Sequence, residues 1–145
     1  MQFIIFRKAD AETEAETSAD LVASPQLIAD MTTFHDEGAK AGIVIGGAGL
    51  HPTRNGARVK FRDGNPTVID GPFTEAKELI AGYTLIEAPS LEAALDWVRQ
   101  WPKLDGHGNV ELEVRQLYTE ADFGEAYTEA MSLKDAAREA LATPK

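Results

Sequence analysis

Asp70-Gly71-Pro72-Phe73 is the stretch whose residue types and spacing best suit chemistry. Gly71 can take backbone conformations closed to other residues, and Pro72 fixes the next dihedral while biasing Gly71 toward extended geometry. A carboxylate at a strand end, just before so rigid a turn, is held in one direction, as a general base must be. The same carboxylate can instead cap the turn, or a short helix starting near Thr74. His51, in Gly49-Leu50-His51-Pro52, is the second candidate. Histidine titrates near neutrality unaided, so His51 could complete an acid–base dyad with Asp70. A solitary loop histidine is more often an ordinary polar surface residue.

Other polar residues add binding chemistry. Arg58, Lys60 and Arg62 point the same way along one strand with Arg54 nearby, a local positive stripe in an acidic chain. Such a stripe suits a small anionic ligand. Its plainer reading is a solvated hairpin face paired with the acidic segment 9–23. His35 sits beside Asp36 on a helix and is expected to be exposed, and His107 lies in a glycine turn. Three scattered histidines without ligand spacing point to no metal site. Trp97 and Trp101, four apart on a helix, read as packing or dimer contacts more than as a stacking platform.

The elements that must position these residues follow from the pattern. Residues 2–8 hold the apolar run Phe3–Phe6 and form a buried strand. Residues 9–23 carry five acids and no base between Asp10 and Asp20, which reads as a solvated connection. Ser24-Pro25 opens a helix whose inner face is Leu27, Met31, Phe34 and Gly38, and Gly42 stops it. Ile43-Val44-Ile45 is a strand, and the glycines after it mark a bulge or a close backbone approach. Their spacing matches no dinucleotide or phosphate-loop fingerprint.

Ala57, Val59 and Phe61 alternate with the three bases, Asp63-Gly64 turns the chain, and Thr67-Val68-Ile69 returns. Tyr83–Ile86 is the next strand. Ser90 caps a helix with Leu91, Ala94, Leu95 and Val98 on one face, ended by Pro102 and Gly106-His107-Gly108. Val110, Leu112 and Val114 mark the last strand, and 125–141 a final helix with a thin stripe of small residues. The order predicts an α+β, ferredoxin-like split βαβ domain with an inserted hairpin over 1–118, extended by helix at 119–145.

The chain has 145 residues, enough for one domain that folds without staples. It has no cysteine, which excludes disulfides, thiolate metal sites and cysteine nucleophiles. A formal net charge of −10 argues against direct binding of nucleic acid. The apolar run at the N-terminus is too short for a signal peptide or a membrane span, so a cytoplasmic protein without membrane contact is expected.

Several motifs together resemble the YCII-related proteins, in the branch named for Asp-Gly-Pro-Phe. They are Gly46–Pro52, Gly56–Val59, Val68–Glu78, Ala81-Gly82-Tyr83, Glu92–Val98, Glu113–Tyr118 and Asp122–Glu125. The resemblance implies a subunit that pairs as a homodimer into a dimeric α+β barrel, with a cleft between sheet and helices. It also implies that the wider family's histidine in the first helix, and its aspartate before a proline after the second, are replaced here by Met31 and Trp101.

Two functions follow. One is a cofactor-independent small-molecule enzyme in which Asp70, with His51, transfers protons, Arg58 holds an anionic group and Tyr83 donates a hydrogen bond. The other, allowed by related domains fused to sigma-factor-like regions, is a ligand-binding regulatory module without catalysis.

Overall fold

The computed structural model describes residues 1–15, 24–75 and 78–142. Among the described residues, six strands and four helices run in the order β1 (Gln2–Lys8), α1 (Pro25–Lys40), β2 (Val44–Gly49), β3 (Ala57–Arg62), β4 (Asn65–Asp70), β5 (Ile80–Glu87), α2 (Leu91–Val98), β6 (Leu112–Gln116), α3 (Glu120–Phe123) and α4 (Glu125–Ala142). This is a mixed α+β chain. Its main sheet has the order β2-β5-β1-β6 with antiparallel neighbours, and β3-β4 forms a separate two-stranded sheet. The strands that open the two βαβ units, β1 and β5, are central neighbours; those that close them lie at the edges. That interleaving is the split βαβ pattern.

Strand alternation divides the sheet into two faces. Phe3, Ile5 and Arg7 pair with Ile86, Thr84 and Gly82, and this row faces the helices. Phe3, Ile5 and Ile86 are completely buried there with Ala94, Trp97 and Trp101. Burial of each of Phe3, Ile5 and Ile86 contributes about 1.5–3 kcal/mol. The opposite row, Ile4, Phe6, Tyr83 and Leu85, is only half-buried.

α1 is capped by Ser24, whose hydroxyl accepts from the Leu27 N–H, with Pro25 in its first turn. Gly38 brings this helix close to the sheet: a Cβ there would lie 2.6 Å from Val44 Cγ2 and 3.1 Å from Trp97 Cζ2. Phe34 stacks on Trp97 at 4.4 Å, and Trp101 meets both edge-on. The two tryptophans are therefore core packing between α1 and α2.

β2 runs through the glycines that were expected to follow it, with a register shift between Val44 and Gly46. α2 stops at Val98, and β6 begins at Leu112 because Gly106, His107 and Gly108 all adopt positive φ and use up the connecting chain. Asp63 and Gly64 have φ of 51° and 80°, the tight hairpin turn expected of them.

The described part of the acidic segment, residues 9–15, makes more contacts than its composition suggests. Asp10 and Thr13 exchange hydrogen bonds, Glu12 meets His107, and Glu14 accepts from the Thr53 N–H and hydroxyl. The described acids of the segment thus bind Arg7, His107 and Thr53, not the hairpin cations. Residues 16–23 of it lie outside the described residues.

No helix is long and apolar enough to cross a membrane among the described residues.

Candidate functional site

The first cavity, about 770 Å³, lies between α1 and the β2–β5 half of the sheet. Such a volume suits a small molecule. Leu27, Met31 and His35 of α1 overhang it, and the glycine-rich backbone of β2 and β5 forms its floor. Arg7, Trp101 and Asp105 close one side. A second cavity of about 650 Å³ adjoins it, sharing Arg7, Thr13, Leu27, Gly49, Ala81 and Asp105 as walls.

His35 is the group in this cleft best placed for proton chemistry. It is half-buried, contrary to the exposed position expected, because the helix turns its ring toward Trp97 and Trp101. Nδ1 lies 2.8 Å from the Met31 carbonyl oxygen and Nε2 lies 2.9 Å from the Thr84 hydroxyl. A carbonyl oxygen only accepts, so Nδ1 carries the proton and, in the neutral ring, Nε2 accepts from Thr84. One nitrogen is fixed as donor and the other presented as the basic atom. Thr84 is only 3% exposed and comes from the central strand β5, so the pair is held by rigid elements.

Beside His35 lies a buried ionic network. Arg7 donates to both oxygens of Asp105, at 2.6 and 3.2 Å, and Trp101 Nε1 donates to the same carboxylate at 2.9 Å. The remaining Arg7 nitrogen donates to the Lys8 carbonyl at 2.7 Å and to Asp10 at 3.0 Å. Burial opposes the Arg7 charge, but hydrogen bonds and charge from Asp105, then Asp10, outweigh it and hold the guanidinium above its ordinary value. Burial likewise opposes the Asp10 charge. The Thr13 N–H and Arg7 outweigh it and hold this carboxyl below the usual range. At the rim of the second cavity, Glu12 holds the exposed His107 above its ordinary value by a 2.7 Å contact.

Met31 and Trp101, the two positions implied to replace a family His/Asp pair, each precede by four residues a cleft side chain to which they hydrogen-bond. Met31 binds His35 through its carbonyl, and Trp101 binds Asp105 through its indole. His35 and Asp105 both line the first cavity. The i,i+4 spacing of Met31 and His35 on an apolar helix face was the available signal for His35.

The residues singled out in the sequence are distributed differently. Asp70 ends β4 opposite Ala57 and is exposed, and it lines neither of the two cavities above. Its turn is capped by another group: the Phe73 N–H donates to Thr53 Oγ1 at 3.0 Å. A Cβ on Gly71 would overlap the Thr53 carbonyl oxygen, so close approach to this turn requires glycine. His51 is exposed, lines the second cavity and contacts the Asn55 amide at 3.0 Å. No hydrogen bond joins it to Asp70 among the described residues. Arg58 lies over the Phe73 ring at 3.9 Å, outside both cavities. Tyr83 borders the first cavity, but alternation with the helix-facing Thr84 turns its ring to the other face of the sheet. No group of three or more His, Asp or Glu among the described residues is arranged to hold a metal ion.

Fold and site together define a mixed α+β domain with a ligand-sized cleft between one helix and an antiparallel sheet. The chain belongs to the YCII-related domain family, whose model matches residues 1–117. It is 32% identical over 94 residues to an uncharacterized protein of Rhizobium meliloti (strain 1021), covering 64% of this chain and 76% of that one. Among solved structures it is similar to 5-chloro-2-hydroxyhydroquinone dehydrochlorinase from Burkholderia phenoliruptrix AC1100, in complex with 2,5-dihydroxybenzoquinone. The TM-score is 0.43 and the identity 15%, over 83% of this chain and 98% of that one.

Proposed function

We propose that this protein is a small-molecule enzyme that moves a proton with His35 and needs no cofactor to do so. The observation that carries the reading is the paired engagement of the ring: Nδ1–H on the Met31 carbonyl and Nε2 on the Thr84 hydroxyl, inside a cavity of about 770 Å³. A bound molecule that displaces Thr84 gives its proton to Nε2, while Nδ1–H stays on Met31 and stabilises the ring as it becomes charged. Return of that proton to another atom of the same molecule is an isomerisation. Departure of a leaving group from the deprotonated molecule is an elimination. Asp70 and His51 rank below His35 because both side chains are exposed and, among the described residues, no hydrogen bond joins them.

The test is solvent deuterium exchange. Carbonyl and hydroxylated small molecules are incubated with the protein in D2O and followed by NMR. Exchange at one carbon, lost in His35→Gln and kept in Asp70→Asn, is the expected result. Exchange that survives in His35→Gln, or disappears in Asp70→Asn, would place the base elsewhere.

A homodimer completes this reading. The half-buried face of Ile4, Phe6, Tyr83 and Leu85 and the exposed β3–β4 hairpin both offer apolar surface. Pairing of two sheets through that face is the dimeric α+β barrel arrangement expected from the sequence. Asp70-Gly71-Pro72-Phe73 further supports placing the chain in the family branch named for that motif.

A further inference from the structure

We infer that the two adjoining cavities form one elongated site for a chain-like molecule, which donates a hydrogen bond to His35 at one end and accepts one from His51 through an uncharged carbonyl at the other. This rests on His35 as the proton-transferring group and adds a second contact, with the shape of molecule that can make both.

The length follows from the strand that joins the cavities. Arg7, Thr13, Leu27, Gly49, Ala81 and Asp105 line both spaces, which meet along these residues. Gly47, paired with the Thr84 that holds His35, lines the first cavity, and Gly49 lines both. The pairing continues one residue past the strand, where the Leu50 N–H donates to the Ala81 carbonyl at 2.8 Å. His51 follows directly and lines the second cavity. From Gly47 to His51 the extended chain covers roughly 13 Å, so a ligand that meets both histidines has polar ends on the order of 10 Å apart.

The polarity of each end follows from the two rings. His51 Nδ1 lies 3.0 Å from Asn55 Nδ2. An amide nitrogen only donates, so Nδ1 accepts and the neutral ring carries its proton on Nε2. That nitrogen has no hydrogen-bond partner among the described residues. His35 is the reverse, with Nδ1 as donor and Nε2 as acceptor. One end of the site therefore calls for a donor and the other for an acceptor.

The charges decide what kind of acceptor. In the second cavity Arg7 is paired with Asp105 and Asp10, and Glu12 with His107. A charged ligand would have to break one of these pairs, and an anion would also stand beside Asp10 and Glu12. An uncharged carbonyl can accept from His51 and leave every pair intact. Leu50 and Leu104, which line this cavity, are 47% and 46% exposed. An apolar chain lying between the two polar ends removes such surface from water.

The experiment titrates the full chain with three probes, following the ring signals of His35 and His51 by NMR. The long hydroxyamide, 8-hydroxy-N,N-dimethyloctanamide, carries a hydroxyl and a carbonyl at opposite ends of an apolar chain. The short one, 4-hydroxy-N,N-dimethylbutanamide, has both groups but cannot span the site, and 1-octanol lacks the carbonyl. The long hydroxyamide is expected to shift both rings and to bind at least about fivefold more tightly than either control. His51→Phe should remove its margin over octanol, and His51→Gln, which keeps an N–H, should restore part of it. Both variants should melt near the wild-type temperature, because His51 is exposed. Octanol binding as tightly as the long hydroxyamide would overturn the inference, as would a margin that survives in His51→Phe. So would a response to the long probe at one ring only, or at neither. Those failures leave His35-dependent deuterium exchange untouched. A long probe that bridges both rings in a protein without that exchange would keep the elongated site and remove the proton transfer.

Discussion

Around the cleft, the central contacts join residues distant in sequence. Arg7 of β1 binds Asp105, which lies 98 residues away, and His35 of α1 reaches Thr84 of β5. The β3–β4 hairpin is the reverse. Its strands make many contacts with each other and few with any other element, while Val59, Phe61 and Val68 are 54%, 71% and 64% exposed. A two-stranded hairpin is marginal alone. α4 resembles the hairpin, since it packs mainly on α3 and leaves Leu133 and Leu141 exposed. The chain therefore combines a cleft tied together across the sheet with appendages whose apolar residues are exposed. The Asp-Gly-Pro-Phe turn joins the two, anchored by Thr53 and Arg58.

The contrast can be broken most strongly at the buried ion pair. Arg7→Met leaves Asp105 with the Trp101 indole alone, and urea unfolding should show a loss of about 3–5 kcal/mol. Arg7→Met combined with Asp105→Leu should recover much of that loss, because no charge is then left buried. Recovery close to zero would mean that the network does more than neutralise itself.

The hairpin should respond in association instead of stability. Phe61→Asp is expected to convert a dimer to a monomer in light scattering, with the unfolding free energy of the monomer changed by less than about 0.5 kcal/mol. A monomeric wild-type protein at micromolar concentration would remove the dimer from the account.

Asp10 stands between the two regimes. Its folded-state pKa is depressed, so its contribution is present above the ordinary carboxylate value of 3.8 and is lost as pH falls through the lower folded value. Asp10→Asn should lower stability at neutral pH by roughly 1 kcal/mol at most, since the pair is partly solvated. The gap from wild type should close in strong acid. A gap constant with pH would assign the loss to the Thr13 hydrogen bonds. The smallest effect is expected at Asp70→Asn, below about 0.5 kcal/mol in unfolding, because the carboxylate is exposed and Thr53, not Asp70, accepts from the Phe73 N–H.

Much of the fold was legible because its signals are local. Ser24-Pro25 announces α1, Gly38 marks the close approach, and Asp63-Gly64 turns the hairpin. Boundaries failed where a backbone departure intervened, as at Gly106–Gly108 before β6. The site was less legible because its partners are remote. Nothing near His35 in sequence points to Thr84, and Arg7 reads as the polar end of a strand until Asp105 is brought to it. Asp70 drew notice because its turn is unusual, and in that turn it is Gly71 and the Phe73 N–H that meet Thr53.

The most direct test of where function resides is a fragment library screened against isotope-labelled full-length protein, with every perturbed backbone and side-chain signal mapped. Hits should cluster on His35, Thr84, Gly49 and Trp101, and His35→Gln should weaken them while Asp70→Asn leaves them unchanged. Hits that cluster instead on Asp70, His51 and Arg58, and vanish in Asp70→Asn, would contradict the account and return the site to the Asp-Gly-Pro-Phe turn.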